Sequence, residues 1–209
     1  MAHRPAARRR PHAVDRTALT TPSSTRLSSP RFPQHVSPHH DPRQVDMDDE
    51  DIAPFTALAH PAVYVVTATA DDRRAGCLVG FAGQCSLDPV RFAVWLSKAN
   101  HTYGVALSAR TLTVHLLPRH RHDLAERFGA LCGAETDKFS GLDWHEGPDG
   151  AVVLGDALAW FTGRVHDRFD GGDHVAFLLD PVGTHTPTAD GPGPLTLNDA
   201  TDITAGHPA

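Results

Sequence analysis

No apolar run in this 209-residue chain approaches the roughly 20 residues a membrane-spanning helix needs. The N-terminus also lacks the apolar stretch of a secretory signal, so a soluble, cytoplasmic protein with no membrane partner is expected. Cysteine is scarce. The three residues Cys77, Cys85 and Cys132 are an odd number without CxxC or Cys/His ligand spacing, which argues against a disulfide framework and a structural zinc site. GxGxxG, the P-loop, GxSxG and HExxH are missing, which removes the common nucleotide-fold and hydrolase signatures. His120 and His122 in PRHRHD have metal-like spacing but no third ligand beside them, so they read as a solvated turn and no metal is expected.

Basic charge is missing where a nucleic-acid binder would need it. Residues 1–46 carry eight Arg and three Asp, a balance of +5, which leaves eleven basic against 22 acidic residues, or −11, for the remainder. An acidic body cannot neutralise phosphates along a nucleic-acid backbone, so no such partner is expected for it. With 40% hydrophobic and 21% charged residues, the chain can bury one core of ordinary size.

Residues 1–46 hold seven of the 17 prolines and almost no aliphatic clustering, so a disordered Arg/Pro-rich tail is expected through about residue 50. Three readings compete for it: a targeting peptide, a nucleic-acid-binding arm, or untranslated upstream sequence with Met47 as the start. The last is favoured, because Met47 precedes an acidic run and then the first core-like residues. One domain is expected over residues 51–183. Residues 184–209, rich in Pro, Gly, Thr and Asp, read as an irregular C-terminal lid or frayed tail.

Six segments have strand length and composition: 62–69 (AVYVVTAT), 76–86, 92–97 (FAVWLS), 111–117 (TLTVHLL), 158–167 and 174–181 (HVAFLLDP). FAVWLS and HVAFLL are apolar on both faces, as strands between layers are, whereas Leu112, Val114 and Leu116 share one face and leave His115 half-exposed on the other. Helices are expected over 102–109, capped by Asn100 or Thr102, and over 120–129, where Leu124 and Phe128 stand at i and i+4. Asp137 and Lys138 read as a surface turn. The class is mainly β, a barrel with a few covering helices.

Three segments carry chemistry. In GCLVGFAGQCSLDP, 76–89, Gly80 and Gly83 lie inside an apolar run, where glycine marks either a bulged corner or a close approach to the backbone, as under a planar ligand. SKANHT, 97–102, joins a strand end to a helix start. Its lysine, hydroxyls and free amides suit a phosphate, and plain helix capping is the competing account. In GGDHVAFLLDPV, 171–182, paired glycines make a hairpin turn and set His174 at the mouth of a buried strand, where it either meets a ligand or merely caps the strand.

In this order and spacing, AVYVVTAT, GCLVGFAGQCSLDP, FAVWLSKANHT, DKFSGLDWHEGPDGAVVLGDALAWFTGRV and GDHVAFLLDPV resemble the flavin-reductase-like family over about 54–182. The resemblance implies an FMN-binding split β-barrel and an NAD(P)H-dependent flavin reductase. It implies FMN as cofactor, with FAD possible, and either NADH or NADPH as donor. It further implies flavin contacts from Thr67, Thr69, Gly83, Gln84, Cys85 and Ser86, phosphate or ribityl contacts from Ser97, Lys98, Asn100 and Thr102, and His174 as the catalytic residue receiving the nicotinamide. A homodimer and a partner monooxygenase supplied with reduced flavin are implied as well. The same fold also admits a deazaflavin- or haem-binding electron carrier, or a reductase of a small substrate. Two departures stand out: the Ser/Thr-rich stretch usual in the family is here Gly80 to Cys85, and residues 191–209 lack the aromatic and basic strand that covers the site in many relatives. Hydride transfer needs stacked rings rather than a general base, which accounts for the missing triad.

Overall fold

Two consecutive aspartates begin the folded architecture. Asp71 and Asp72 both take positive φ, 50° and 62°, the turn geometry that matches strand twist in a two-residue hairpin. They join β1 (Tyr64–Ala70) to β2 (Arg73–Val79) in antiparallel register. The computed structural model describes residues 49–187 and 192–207. The expected tail lies outside the described residues through residue 48, as does the expected start at Met47, whereas Asp49 and Glu50, expected within that tail, open a helix.

The chain continues through β3 (Ala82–Leu87), β4 (Val90–Ser97), helix α2 (His101–Ala106), β5 (Thr111–Leu116) and helix α3 (His122–Ala130). A short pair, β6 (Trp144–Glu146) and β7 (Val152–Leu154), precedes the long hairpin of β8 (Ala159–Asp170) and β9 (His174–His185). Helix α1 (Asp49–Ala59) stands before all of them. Seven strands form one sheet in the order β2-β1-β5-β8-β9-β4-β3, and β6 and β7 form a second. Among the described residues no helix is long and apolar enough to cross a membrane.

The large sheet curls. Cys77 and Val79 of β2, Val94 and Leu96 of β4, Leu112 and Val114 of β5, and Phe177 and Leu179 of β9 share one buried cluster with Val105 and Ala106 of α2. Strands from distant places in the sheet order can meet only if the sheet closes partway around that core. A second cluster lies on the outer side of β1, where Val63 and Val65 pack against Leu124 and Phe128 of α3, Val152 and Leu154 of β7, and Leu195.

That outer layer overturns two expectations. His115 is fully buried: its Nδ1 lies 2.9 Å from the Val65 carbonyl and its Nε2 accepts the Leu154 amide at 3.1 Å. Strand β7 covers this face of β5, so the residue expected to be half-exposed is enclosed. Lys138 is also no surface turn residue. It is 4% exposed and donates from Nζ to the Gly76 carbonyl at 3.1 Å and the Phe128 carbonyl at 2.9 Å. A lysine enters an interior when carbonyls satisfy its protons, and burial here lowers its pKa. Conversely, Phe92 and Trp95 of FAVWLS and Leu178 of HVAFLL remain half-exposed, so the strands enclosed on both faces are β1 and β5 rather than β4 and β9.

The glycine-bearing run 76–86 splits into β2 and β3 at Gly80-Phe81, and the register shift between β3 and β4 falls at Cys85 rather than at a glycine. The Asp88-Pro89 turn, the Gly171-Gly172 turn and the Asn100 cap of α2 stand where expected. Residues 192–207 are irregular but anchored. Ala62 bridges Thr196, Pro118 bridges Pro194, and Thr196 and Asp199 form a reciprocal cap on the 3-10 turn Leu197–Ala200.

Candidate functional site

A cavity of about 410 Å³ opens where the end of β2, the end of β4, the start of α2 and the start of β9 converge. That volume lies within the roughly 300–1,000 Å³ usual for small-molecule sites. Val79, Phe81 and Trp95 give it apolar and aromatic walls, and Ser97, Asn100 and His174 bring polar side chains to it.

Each polar group is positioned by its neighbours. His174 is register partner to Ser97 across the β4–β9 ladder, which sets both at the same rim. Its Nδ1 lies 3.0 Å from the Asp173 carboxylate, and its ring meets the Phe81 ring edge-to-face at 5.4 Å between centroids. The His174 hydrogen bond holds the Asp173 carboxyl below the usual carboxylate range. The Lys98 amide donates to the Asp173 carbonyl at 2.9 Å and so ties the hairpin turn to the start of α2.

The expected residues separate into groups. Ser97, Asn100 and His174 meet at the cavity. Lys98 stands beside it, but its Nζ is engaged with the Asp170 carboxylate at 2.8 and 3.0 Å, and this bond lowers the Asp170 pKa. Thr102 is buried in the first turn of α2, where its amide donates to Asn100 Oδ1 at 2.9 Å. Its hydroxyl is hydrogen-bonded to Cys77, a thiol that burial pushes up to about 11. Gly83, Gln84, Cys85 and Ser86 lie on the edge strand β3, outside the cavity lining, with Gln84 Nε2 donating to the Ser86 carbonyl at 3.2 Å. Thr67 and Thr69 lie on β1 and do not line the cavity. The Thr67 hydroxyl donates to the Val152 carbonyl at 2.7 Å, and the buried Thr69 hydroxyl has no partner among the described residues.

Sequence reasoning missed Phe81 and Trp95 as walls, and Thr204, Ala205 and His207, which also line the cavity. The aromatics were readable in principle as large side chains at strand ends. Nothing in the pattern of residues 191–209 marks the last three.

The donor set fits a flat, partly polar ring system. Aromatic edges and aliphatic walls accept the body of such a ring, and a few convergent polar groups at one rim can fix its orientation. A Cβ at Gly80 would meet only Leu197, at an ordinary 3.6 Å, so no close approach requires glycine there.

Comparison with known proteins agrees with this fold. The model of the flavin reductase like domain matches residues 57–202. A probable flavin reductase of Rhizobium meliloti is 31% identical over 121 residues, covering 56% of this chain and 38% of that protein. An FMN reductase (NADH), RutF 2, of Rhizobium rhizogenes is 32% identical over 151 residues, covering 70% of this chain and 82% of that protein. Among solved structures, a homologue of nitrilotriacetate monooxygenase component B from Mycobacterium thermoresistibile is 25% identical with a TM-score of 0.61, covering 69% of this chain and 81% of that one. The chain spans half the length or less of some of the curated relatives it matches.

Proposed function

Since the chain belongs to the flavin-reductase-like family, whose FMN-binding barrel is the fold described above, we propose that it is an NAD(P)H-dependent flavin reductase supplying reduced flavin to a partner monooxygenase. The observation that carries the reading is the single cavity joining Ser97, Asn100 and His174 to the Gly80-Phe81 bend, within the span matched by the family model. FMN is the favoured flavin. When bound, it supplies the acceptor for a hydride from the dihydronicotinamide, chemistry that no side chain offers.

The chain's own residues bind and orient. Phe81 and Trp95 give the ring an apolar bed, and Ser97 and Asn100 offer hydrogen bonds at its rim. His174, held by Asp173 on one side and by the Phe81 ring on the other, is pre-oriented to hydrogen-bond a carboxamide or ring edge. Lys98 reaches a phosphate only by leaving Asp170. That exchange is inexpensive, because both side chains are substantially exposed, at 41% and 68%, where ion pairs contribute little.

A cytoplasmic homodimer completes the reading. Leu87 is 82% exposed and Val90 52% exposed on the β3–β4 hairpin, and apolar side chains at a sheet edge suit contact with a second copy.

The test is a steady-state assay crossing NADH and NADPH with riboflavin, FMN and FAD. Nicotinamide oxidation that depends on added flavin is expected. Flavin-coloured protein that leaves both nicotinamides unoxidised contradicts the reductase and indicates a carrier.

A further inference from the structure

The cavity has a wall from far along the chain. Thr204, Ala205 and His207 line it together with Ser97, Asn100 and His174. Residues 202–207 form a strap held at several points. His122 pairs with Asp202 at 2.9 Å, Ile203 packs against the outer core, and the Gly206 amide donates to the Gly129 carbonyl at 3.0 Å.

The strap lies so close to the end of α3 that it requires glycine on both sides. A Cβ at Gly206 would stand 2.6 Å from the Ala130 carbonyl carbon and 2.9 Å from that of Leu131, both backbone atoms that cannot swing aside. A Cβ at Gly129 would stand 2.8 Å from Ile203. A close approach enforced in this way fixes where the next residue goes. Here that residue is His207, which the strap delivers to the cavity.

We propose that the strap is the outer wall of the flavin site, that His207 contacts the bound ring system, and that Gly206 is the positioning residue that lets the strap dock on α3; the inference rests on the flavin reading above. Thr204 and Ala205 are small enough to lie flat against a planar ring, and His207 adds one polar contact from a segment none of the other polar groups belongs to. The wall stands where the sequence of residues 191–209 offers no aromatic and basic strand.

The test uses the full chain, FMN as probe, equilibrium dialysis for affinity and iodide quenching for solvent access to the bound ring. The unaltered chain is expected to take up FMN and shield it from iodide. Gly206→Val, which cannot dock the strap, is expected to weaken FMN binding at least about tenfold and to bring iodide access close to that of free FMN. His207→Ala, which leaves every docking contact named above in place, is expected to weaken binding by about three- to tenfold, the range of one lost hydrogen bond, while shielding persists. His207→Ala also carries the test if the valine variant fails to fold.

Unchanged affinity and shielding in Gly206→Val overturns the wall, and unchanged affinity in His207→Ala overturns the contact. Either result alongside FMN uptake by the unaltered chain leaves the flavin reading standing. No uptake by the folded unaltered chain overturns that reading and this inference together.

Discussion

Burial holds the His115 imidazole neutral, its pKa lowered to about 4 from 6.5 mainly by desolvation, against the hydrogen bond at the Val65 carbonyl. Unfolding returns the ring to water, where it takes a proton near 6.5. Between these values the unfolded chain binds more protons than the folded one. The stability this represents is therefore complete above pH 6.5 and is lost as pH falls toward 4, by about 3 kcal/mol in all. The depressed Asp170, Asp173 and Asp180 lose their contribution as pH falls through and below the ordinary carboxylate range, at the foot of this window and beneath it. Urea midpoints of the unaltered chain are expected to drop between pH 7 and 4.5, and His115→Gln should flatten that limb. An equal slope in both proteins contradicts the assignment. His174 acts at a different level, because its neighbours orient it without enclosing it. His174→Ala is expected to raise the KM for dihydronicotinamide by about three- to tenfold while leaving FMN affinity in place. Unchanged nicotinamide kinetics would remove it from the site.

Elements are tied together by one ammonium. Lys138 Nζ joins the Gly76 carbonyl of β2 to the Phe128 carbonyl of α3, and the chain after Gly76 runs directly into the cavity wall. Lys138→Met removes the ammonium donor from two enclosed carbonyls and is expected to destabilise the fold by about 2–4 kcal/mol, read as a lower urea midpoint. A change under about 0.5 kcal/mol, the range of an ordinary surface substitution, would mean the lysine is dispensable. Strands β1, β4, β5, β8 and β9 were legible as short runs of strand length and composition, and helices α2 and α3 from a cap or an apolar pair at i and i+4. Strands β6 and β7, three residues each, carry too little pattern to read. The enclosed His115 and Lys138 escaped for one shared reason. Their covers, β7 and the end of α3, are tertiary neighbours that local alternation does not record. Of the candidate site, Ser97, Asn100 and His174 were legible because they stand at strand and helix ends beside turn residues. The strap residues 204–207 meet the cavity only through folding at long range.

At the scale of the whole molecule, a partly closed sheet leaves an apolar edge at the β3–β4 hairpin. Exposed apolar side chains also run along α1, where Phe55 is 71% and Leu58 81% exposed. A second copy would cover such surface. Sedimentation velocity is expected to give a particle of twice the 22.5 kDa chain mass. A species that remains at the chain mass at micromolar concentration contradicts the homodimer.

The proposed activity requires a phosphorylated flavin to enter the cavity between the β2 end and the His174 rim. Equilibrium dialysis of FMN against the folded full chain measures that directly. Saturable uptake approaching one FMN per chain is the predicted result, and no saturable uptake of FMN by protein whose circular dichroism shows an intact fold would contradict it.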